Sequence, residues 1–129
     1  MFAQFDSEMG VLGRIDFMFV STQDGIDMLN RCIYIQDDLW GRIPVVQPTD
    51  YIILKLMAIA NNPDRSGGDE ADIVVLLRCC REDMLSDDFE PLQKDRLIQF
   101  AEKFKQKKRI QELLENADRA KTQTAGFSL

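Results

Sequence analysis

A lysine and two aspartates in the middle of the chain are the residues best suited to chemistry. Lys55 interrupts a run that is otherwise almost wholly apolar, and Asp69 and Asp72 follow at a spacing of three. A lysine is rarely buried without a negative partner, so we expect a carboxylate near Lys55. Residues three apart share one helix face, which would place both aspartates on one side. Arg65, in the polar stretch between, supplies a second cation.

Two interpretations of these charges stay open at this point. In the first they form a structural ion pair, with Asp69 as the N-cap of a helix and Asp72 near it, favoured by the helix dipole. In the second, Lys55 holds an anion such as a phosphate, and a carboxylate beside it assists with a metal or a proton transfer.

The elements that would position these residues are two apolar helices joined by a polar loop. Pro48 suits the first turn of the first helix, which should stop near Pro63 because proline disfavours helix in the preceding residue. Residues 64–68 form a loop with two glycines. The second helix is predicted from about Asp69 to Arg81, with Ile73, Leu76 and Cys80 on its apolar side.

The N-terminal part predicts strands and one short helix. Alternating residues favour strands at 2–6 and 14–20, and Ser21 or Thr22 can cap a helix over about 23–31. A hairpin follows over 32–46, in which Ile33 and Ile35 pair with Ile43 and Val45. Asp16 lies in the middle of the second strand, where aspartate is disfavoured.

The C-terminal part is predicted to be helical. Apolar residues recur at helical spacing from Pro91 to about Arg119, and their phase changes near Lys105, so we predict two helices with a break there. Residues 120–129 are rich in Thr, Gln, Gly and Ser and are predicted to be a disordered tail.

Several of these segments resemble the C-terminal signature of nucleotidyltransferase-fold proteins, most closely AbiEii-type toxins and related bacterial nucleotidyltransferases. The matching segments, within about residues 10–80, are Gln47-Pro48-Thr49-Asp50, LKLMA (54–58), Arg65 and GGDEADIVVLL (67–77). Lys55, Arg65, Asp69 and Asp72 all match in spacing. One departure is Gly68, where the family usually has a basic residue.

The resemblance implies transfer of a nucleotide from a nucleoside triphosphate, with Mg²⁺ as cofactor. Lys55 would neutralise phosphate charge together with Arg65. Asp69 or Asp72 would orient Lys55 or assist proton removal, so that Asp16, Lys55 and Asp72 form the catalytic set. Asp16, in the setting Ile15-Asp16-Phe17, would be the metal-site carboxylate. The alternative for Asp16 is an aspartate facing solvent on a half-exposed sheet.

The front of the family's site is missing from this sequence. The 13 residues before Arg14 contain neither a Gly-Ser turn nor an Asp-x-Asp pair. We therefore expect a truncated or degenerate nucleotidyltransferase-like protein, of toxin–antitoxin or phage-defence type, that is inactive or severely impaired alone. The alternative is a non-catalytic interaction module that forms a homodimer or completes a partner's site, since a fold lacking its first strands exposes a sheet edge.

Composition limits the remaining possibilities. The chain has 129 residues and no histidine, which excludes Ser-His and Cys-His catalysis. It lacks an apolar run of the ~18–20 residues that a membrane span needs, and its three cysteines indicate reduced thiols in a cytoplasmic protein. Residues 1–92 carry 7 basic and 17 acidic side chains, whereas residues 93–129 carry 9 and 5. Lys103–Arg109 could therefore contact RNA, although a solvated helix face is the favoured explanation of this charge.

These observations predict an α+β fold, a partial nucleotidyltransferase-like domain over residues 1–119. Its small mixed β-sheet (1–47) would be packed by the central helix pair (48–81), followed by a C-terminal helical extension (89–119).

Overall fold

The structure, a computed structural model, describes residues 2–6, 14–18 and 21–126 of the chain. Residue contacts divide the chain into two units, Met1–Arg31 and Cys32–Leu129, and each is described by itself below. Helices and antiparallel strands are both present, which confirms the predicted α+β class. The strands described form two separate two-stranded antiparallel ladders, whereas we expected one mixed sheet.

The first unit contains a strand pair and a short helix. β1 (Phe2–Asp6) pairs antiparallel with β2 (Arg14–Met18), so that Gln4 lies opposite Asp16. Both strands were predicted; the last two residues of the predicted second strand, 19 and 20, lie outside the described residues. Helix α1 (Gln23–Asn30) begins as expected, because Oγ1 of Thr22 accepts a hydrogen bond from the Gly25 N–H at 3.2 Å.

The second unit begins with the predicted hairpin. Strands β3 (Ile33–Asp37) and β4 (Gly41–Val45) place Ile33 opposite Val45 and Ile35 opposite Ile43, as expected. The turn is held by Asp37, whose Oδ1 accepts the backbone N–H groups of Leu39 and Trp40, both at 2.8 Å. Gly41 completes the turn at φ +77°, a conformation that favours glycine.

Two long helices form the centre of the second unit. α2 (Pro48–Asn61) and α3 (Ser66–Arg81) are joined by a 3₁₀ turn at Pro63–Arg65. The apolar run of α2, expected to be buried almost all round, is buried on one face only, and Ala58 is exposed. The buried face forms the core with side chains of the later helices. The fully buried large apolar side chains of this unit are Ile52, Ile53, Leu56, Ile59, Ile73, Leu97 and Ile110.

Helix α3 differs from its prediction in two ways. It begins at Ser66, so Asp69 lies in its first turn and is not its N-cap. The glycines that we assigned to a loop are tolerated here, since first-turn N–H groups have no intrahelical partner in any case. Its buried face is carried by Ile73 and Leu77, whereas Leu76 and Cys80 are only half-buried.

Two further helices pack onto this centre. α4 (Lys94–Lys103) and α5 (Lys107–Gly126) are separated at Lys105, which confirms the predicted break. Because Leu97 and Ile110 are fully buried, both helices belong to the core of the unit and are not an appended extension. Helix α5 continues through residues 120–126, where we expected a tail to begin. The helix can continue because residues 120–125 contain neither proline nor glycine, and it ends at Gly126.

The breaks after α3 and α4 share one geometry. After α4, the N–H of Gln106 bonds the carbonyl of Ala101 at 2.7 Å and the N–H of Lys105 bonds that of Glu102 at 3.2 Å. After α3, Met84 and Asp83 make the same two bonds to Cys79 and Cys80. This is the Schellman arrangement, which usually has glycine at the left-handed position. Here Asp83 (φ 55°) and Lys105 (φ 58°) occupy it.

The N-terminal end of α2 is fastened to the segment that leads into α4. Oε1 of Gln47 accepts the Glu90 N–H at 2.9 Å, and Oγ1 of Thr49 accepts the Gln93 N–H at 3.1 Å. The first part of the segment that carries the family resemblance therefore has a structural role of its own.

Candidate functional site

Lys55 lies between two carboxylates, as its position within an apolar run predicted. Its Nζ is 2.8 Å from Oδ2 of Asp72 and 3.4 Å from Oδ1 of Asp69. Lys55 projects from the middle of α2, and both aspartates lie in the first two turns of α3, one helical turn apart. The structure thus brings together three of the predicted site residues.

The pKa of Lys55 is raised by this arrangement. Burial alone would lower it, but the hydrogen bond to Asp72, the charge interactions with Tyr51 and Asp72, and the hydrogen bond to Asp69 outweigh that effect. The ammonium also lies 5.5 Å from the centre of the Tyr51 ring. Lys55 is therefore a fixed positive charge at neutral pH, suited to electrostatic stabilisation and not to proton abstraction.

The cluster is open to solvent on the Asp72 side. The side chain of Asp72 is 49% exposed, compared with 26% for Lys55 and 22% for Asp69. One ammonium between two carboxylates leaves a net charge of −1, which disfavours an anionic ligand at Lys55 unless a carboxylate moves away. Asp72 is the one that is free to swing into water.

An apolar cavity of about 360 Å³ adjoins the cluster. Asp72 and Tyr51 both line it, so the charged group and the cavity share a wall. The rest of the wall comes mainly from the end of β4, the exposed side of α3 and the loop after it, represented by Val45, Val75 and Phe89. Cavities of this size and character take small organic ligands that need a few polar groups at the rim.

The other two predicted site residues cannot be added to this group. Arg65 ends the 3₁₀ turn Pro63–Arg65, and its side chain is outside the described part of the structure. Asp16 lies on β2 in the other unit, opposite Gln4, and its side chain is likewise not described. The roles that the resemblance gives Arg65 and Asp16 stay predictions.

The described residues do not fit a magnesium site. Within residues 2–6, 14–18 and 21–126 there is no group of three or more Asp, Glu or Cys side chains that could hold a metal ion. The two carboxylates that are close together, Asp69 and Asp72, are both engaged by Lys55.

The sequence patterns missed one further charged residue, Arg81. It lies four residues after the buried Leu77, and this spacing places its guanidinium on the buried face of α3. That signal, a cation on an apolar helix face, is the same one that identified Lys55.

The basic segment Lys103–Arg109 spans the end of α4 and the start of α5. Some of its charge is already paired. Lys107 lies 3.8 Å from Glu102, and Arg109 forms an ion pair with Glu70 of α3. Lys103 covers the Phe100 ring at 4.6 Å. Lys105 and Lys108 are left as the best candidates for contact with an anionic partner.

Comparison with known proteins gives no relative. The chain matches no protein-family model, no curated protein and no solved structure. None of the helices in the described ranges is both long and apolar enough to cross a membrane.

Proposed function

We propose that the chain is a degenerate nucleotidyltransferase-like domain that binds a nucleotide beside Lys55. The observation that supports it is the position of Lys55: its ammonium is one hydrogen bond from Asp72, which lines the apolar cavity. An ammonium next to an apolar cavity suits a ligand with a phosphate at one end and a flat organic ring at the other. The bacterial toxin–antitoxin or phage-defence setting belongs to the same proposal.

In this proposal the base enters the apolar cavity and a phosphate replaces Asp72 at Lys55. Tyr51 offers an aromatic wall to the base, and Asp69, the less exposed carboxylate, keeps Lys55 in place. The described residues hold and orient the phosphate, and they supply electrostatic stabilisation only. Turnover would further require metal-binding carboxylates, which the described residues do not supply as a group, so we propose binding without efficient transfer.

The test is thermal unfolding with each nucleoside triphosphate, with and without Mg²⁺ or Mn²⁺. A ligand that binds only the folded chain must raise the melting temperature. We expect a rise in the wild type that is lost in Lys55→Met, because methionine keeps the length of the stem and removes the charge.

A matched control is Arg119→Met, which removes a similarly spaced, exposed ion pair with Glu115 at 3.6 Å on α5. This variant should keep the nucleotide effect. A wild-type melting temperature that no nucleotide changes, or a shift that persists in Lys55→Met, would exclude the site.

The exposed apolar hairpin favours a second candidate, a homodimeric interaction module. Tyr34, Leu39 and Trp40 are more than half exposed, at 55%, 76% and 57%. Within the described residues β3 and β4 pair only with each other, so each has one open edge. Pro44 removes a backbone donor from β4, which leaves β3 as the better edge for pairing with a second copy.

This candidate is tested by sedimentation equilibrium of the full chain at micromolar concentration. We expect a dimer that the double variant Leu39→Ser, Trp40→Ser converts to monomer, because these side chains would be buried where the two copies meet. Wild-type chain that sediments as a monomer at all concentrations would rule out the homodimer.

A further inference from the structure

Arg81, in the second unit, is largely buried, and two of its three guanidinium nitrogens have no hydrogen-bond partner among the described residues. Its side chain is 14% exposed, and its Nη2 donates a 3.3 Å hydrogen bond to Oε1 of the exposed Glu82. Nε and Nη1 are both buried, and among the described residues neither has a hydrogen-bond partner. This is unusual, since buried polar side-chain atoms in folded proteins nearly always have a partner.

Such a guanidinium is unfavourable for the folded chain. A buried charged donor that lacks an acceptor keeps the full loss of its hydration, which exceeds the loss for a neutral group. A negatively charged acceptor that binds here would remove this penalty.

A cavity of about 180 Å³ lies directly against Arg81. Lys94, the first residue of α4, also lines it, and Asp118 of α5 is the one acidic residue among its described walls. Among the lining residues two cations face one carboxylate, because Glu82, which pairs with Arg81, is not part of the lining. The remaining walls are mainly apolar, formed by Leu77, Leu92, Leu114 and Ala117.

We propose that this cavity is a binding site for a small aliphatic carboxylate. The carboxylate group would accept hydrogen bonds from the buried nitrogens of Arg81 and face the ammonium of Lys94, and the hydrocarbon part would lie among the leucines. The volume is that of about six water molecules, which limits the ligand to a few carbon atoms. A free phosphate would meet the same cations but would leave the apolar walls without a partner.

The site is separate from Lys55. Arg81 is at the opposite end of α3 from Asp69 and Asp72, and the two cavities share no lining residue. The inference therefore does not rest on the nucleotide proposal.

The experiment is a titration of the full chain with acetate, butyrate and hexanoate, followed by methyl NMR of the leucines and by thermal unfolding at constant pH and ionic strength. Butylamine, a cation with the same hydrocarbon chain, and inorganic phosphate, an anion without one, serve as control probes. We expect butyrate to shift the methyl signals of the cavity leucines and to raise the melting temperature more than acetate or phosphate does, with no effect of butylamine.

The variant Arg81→Gln should weaken butyrate binding by about tenfold, the loss expected for a charge-assisted hydrogen bond. Arg78→Gln is the matched control, because Arg78 lies one turn earlier on the same helix and is exposed. Arg78→Gln should bind butyrate as the wild type does.

Leu92→Ala is a second variant that tests the site if Arg81→Gln fails to fold. It enlarges the cavity without altering its charge, so the preferred acid should change from butyrate toward hexanoate. The proposal is wrong if no acid binds the wild type, if phosphate binds as well as butyrate, if Arg81→Gln folds and binds butyrate unchanged, or if Leu92→Ala leaves the chain-length preference as it was.

Discussion

Arg96 and Asp50, 46 residues apart in the sequence, are joined by a 2.6 Å hydrogen bond from Nη2 to Oδ1. Asp50 is fully buried in the first turn of α2, whereas the Arg96 side chain is 21% exposed on α4. Together with the bonds that Gln47 and Thr49 accept, this ion pair fixes the start of α4 against the start of α2. It is the most deeply buried of the described ion pairs.

Arg96→Met should destabilise the chain more than any single change at the Lys55 cluster. It removes the cation from a carboxylate that stays buried, and breaking a buried pair in this way costs roughly 3 kcal/mol in the free energy of unfolding. Urea denaturation measures the change. Arg119→Met, at an exposed pair, should cost less than about 1 kcal/mol. Equal losses in the two variants would contradict the structural role of the Asp50–Arg96 pair.

Asp72→Asn should strengthen nucleotide binding. In the proposed site Asp72 competes with phosphate for Lys55, so removing its charge takes away a competitor and changes the cluster from −1 to neutral. Because Asp72 is half exposed, we expect roughly 1 kcal/mol, or about fivefold in the dissociation constant. Isothermal titration with the triphosphate that gives the largest thermal shift would measure it. Weaker binding in Asp72→Asn would mean that Asp72 interacts favourably with the nucleotide.

Lys105→Gly should stabilise the chain. Lys105 occupies a left-handed position, φ 58°, at which a side chain is unfavourable and glycine is not, so we expect a gain of about 1 kcal/mol. Asp83→Gly should give less, because aspartate tolerates this conformation better than lysine does. Thermal unfolding of both variants, at equal salt concentration, gives the order. Destabilisation by Lys105→Gly would show that its side chain makes a stabilising interaction.

Stability should fall at alkaline pH partly because of Cys80. Burial, and secondly the charge of Cys79, raise the pKa of the Cys80 thiol. The folded chain then holds this proton more tightly than the unfolded chain does. The stabilisation that results is fully present below the ordinary cysteine pKa of about 8.5, and it is lost as the pH rises through the higher pKa of the folded chain. Urea denaturation between neutral pH and pH 10 should show a shallower decline in Cys80→Ala than in the wild type. Parallel curves would remove Cys80 as a cause.

RNA binding by Lys103–Arg109, if present, should depend mainly on Lys105 and Lys108. Lys107 and Arg109 are already paired with Glu102 and Glu70, which reduces the charge that they can offer to phosphate. Filter binding to a single-stranded RNA at several salt concentrations measures the effect. Lys105→Ala with Lys108→Ala should reduce the salt slope by about 0.7 for each RNA phosphate that the variant no longer neutralises. Absence of salt-sensitive binding in the wild type would exclude this partner.

The sequence predicted the ion pairs of Lys55 with Asp69 and Asp72 better than it predicted where helix α3 begins. Lys55 in an apolar run demanded a carboxylate, and the three-residue spacing of Asp69 and Asp72 showed which ones could reach it. Helix α3 begins earlier than the sequence predicts, because Gly67 and Gly68 are typical of a loop. In the first turn of a helix, however, a glycine loses little, and added Cβ atoms at both positions would meet nothing within 4 Å.

The long-range hydrogen bonds could not be predicted from the local pattern. Gln47, Thr49 and Asp50 are typical of a helix start, and nothing in their spacing shows that their side chains bond a segment more than 40 residues later. The cavity beside Arg81 depends on the packing of α3 and α5 with the segment that leads into α4, which periodicity does not predict. The resemblance to nucleotidyltransferases was drawn from spacing and stays a proposal.

The hydrogen bonds at the start of α2 also affect how the chain is made. While the protein is being synthesised, α2 emerges well before Glu90, Gln93 and Arg96 do, and until then the buried oxygens of Gln47, Thr49 and Asp50 lack these donors. A nascent chain that ends before Arg96 should therefore stay sensitive to protease throughout its helical part. Resistance should appear once α4 and α5 have both been added, because these hydrogen bonds then form and Leu97 and Ile110 complete the core.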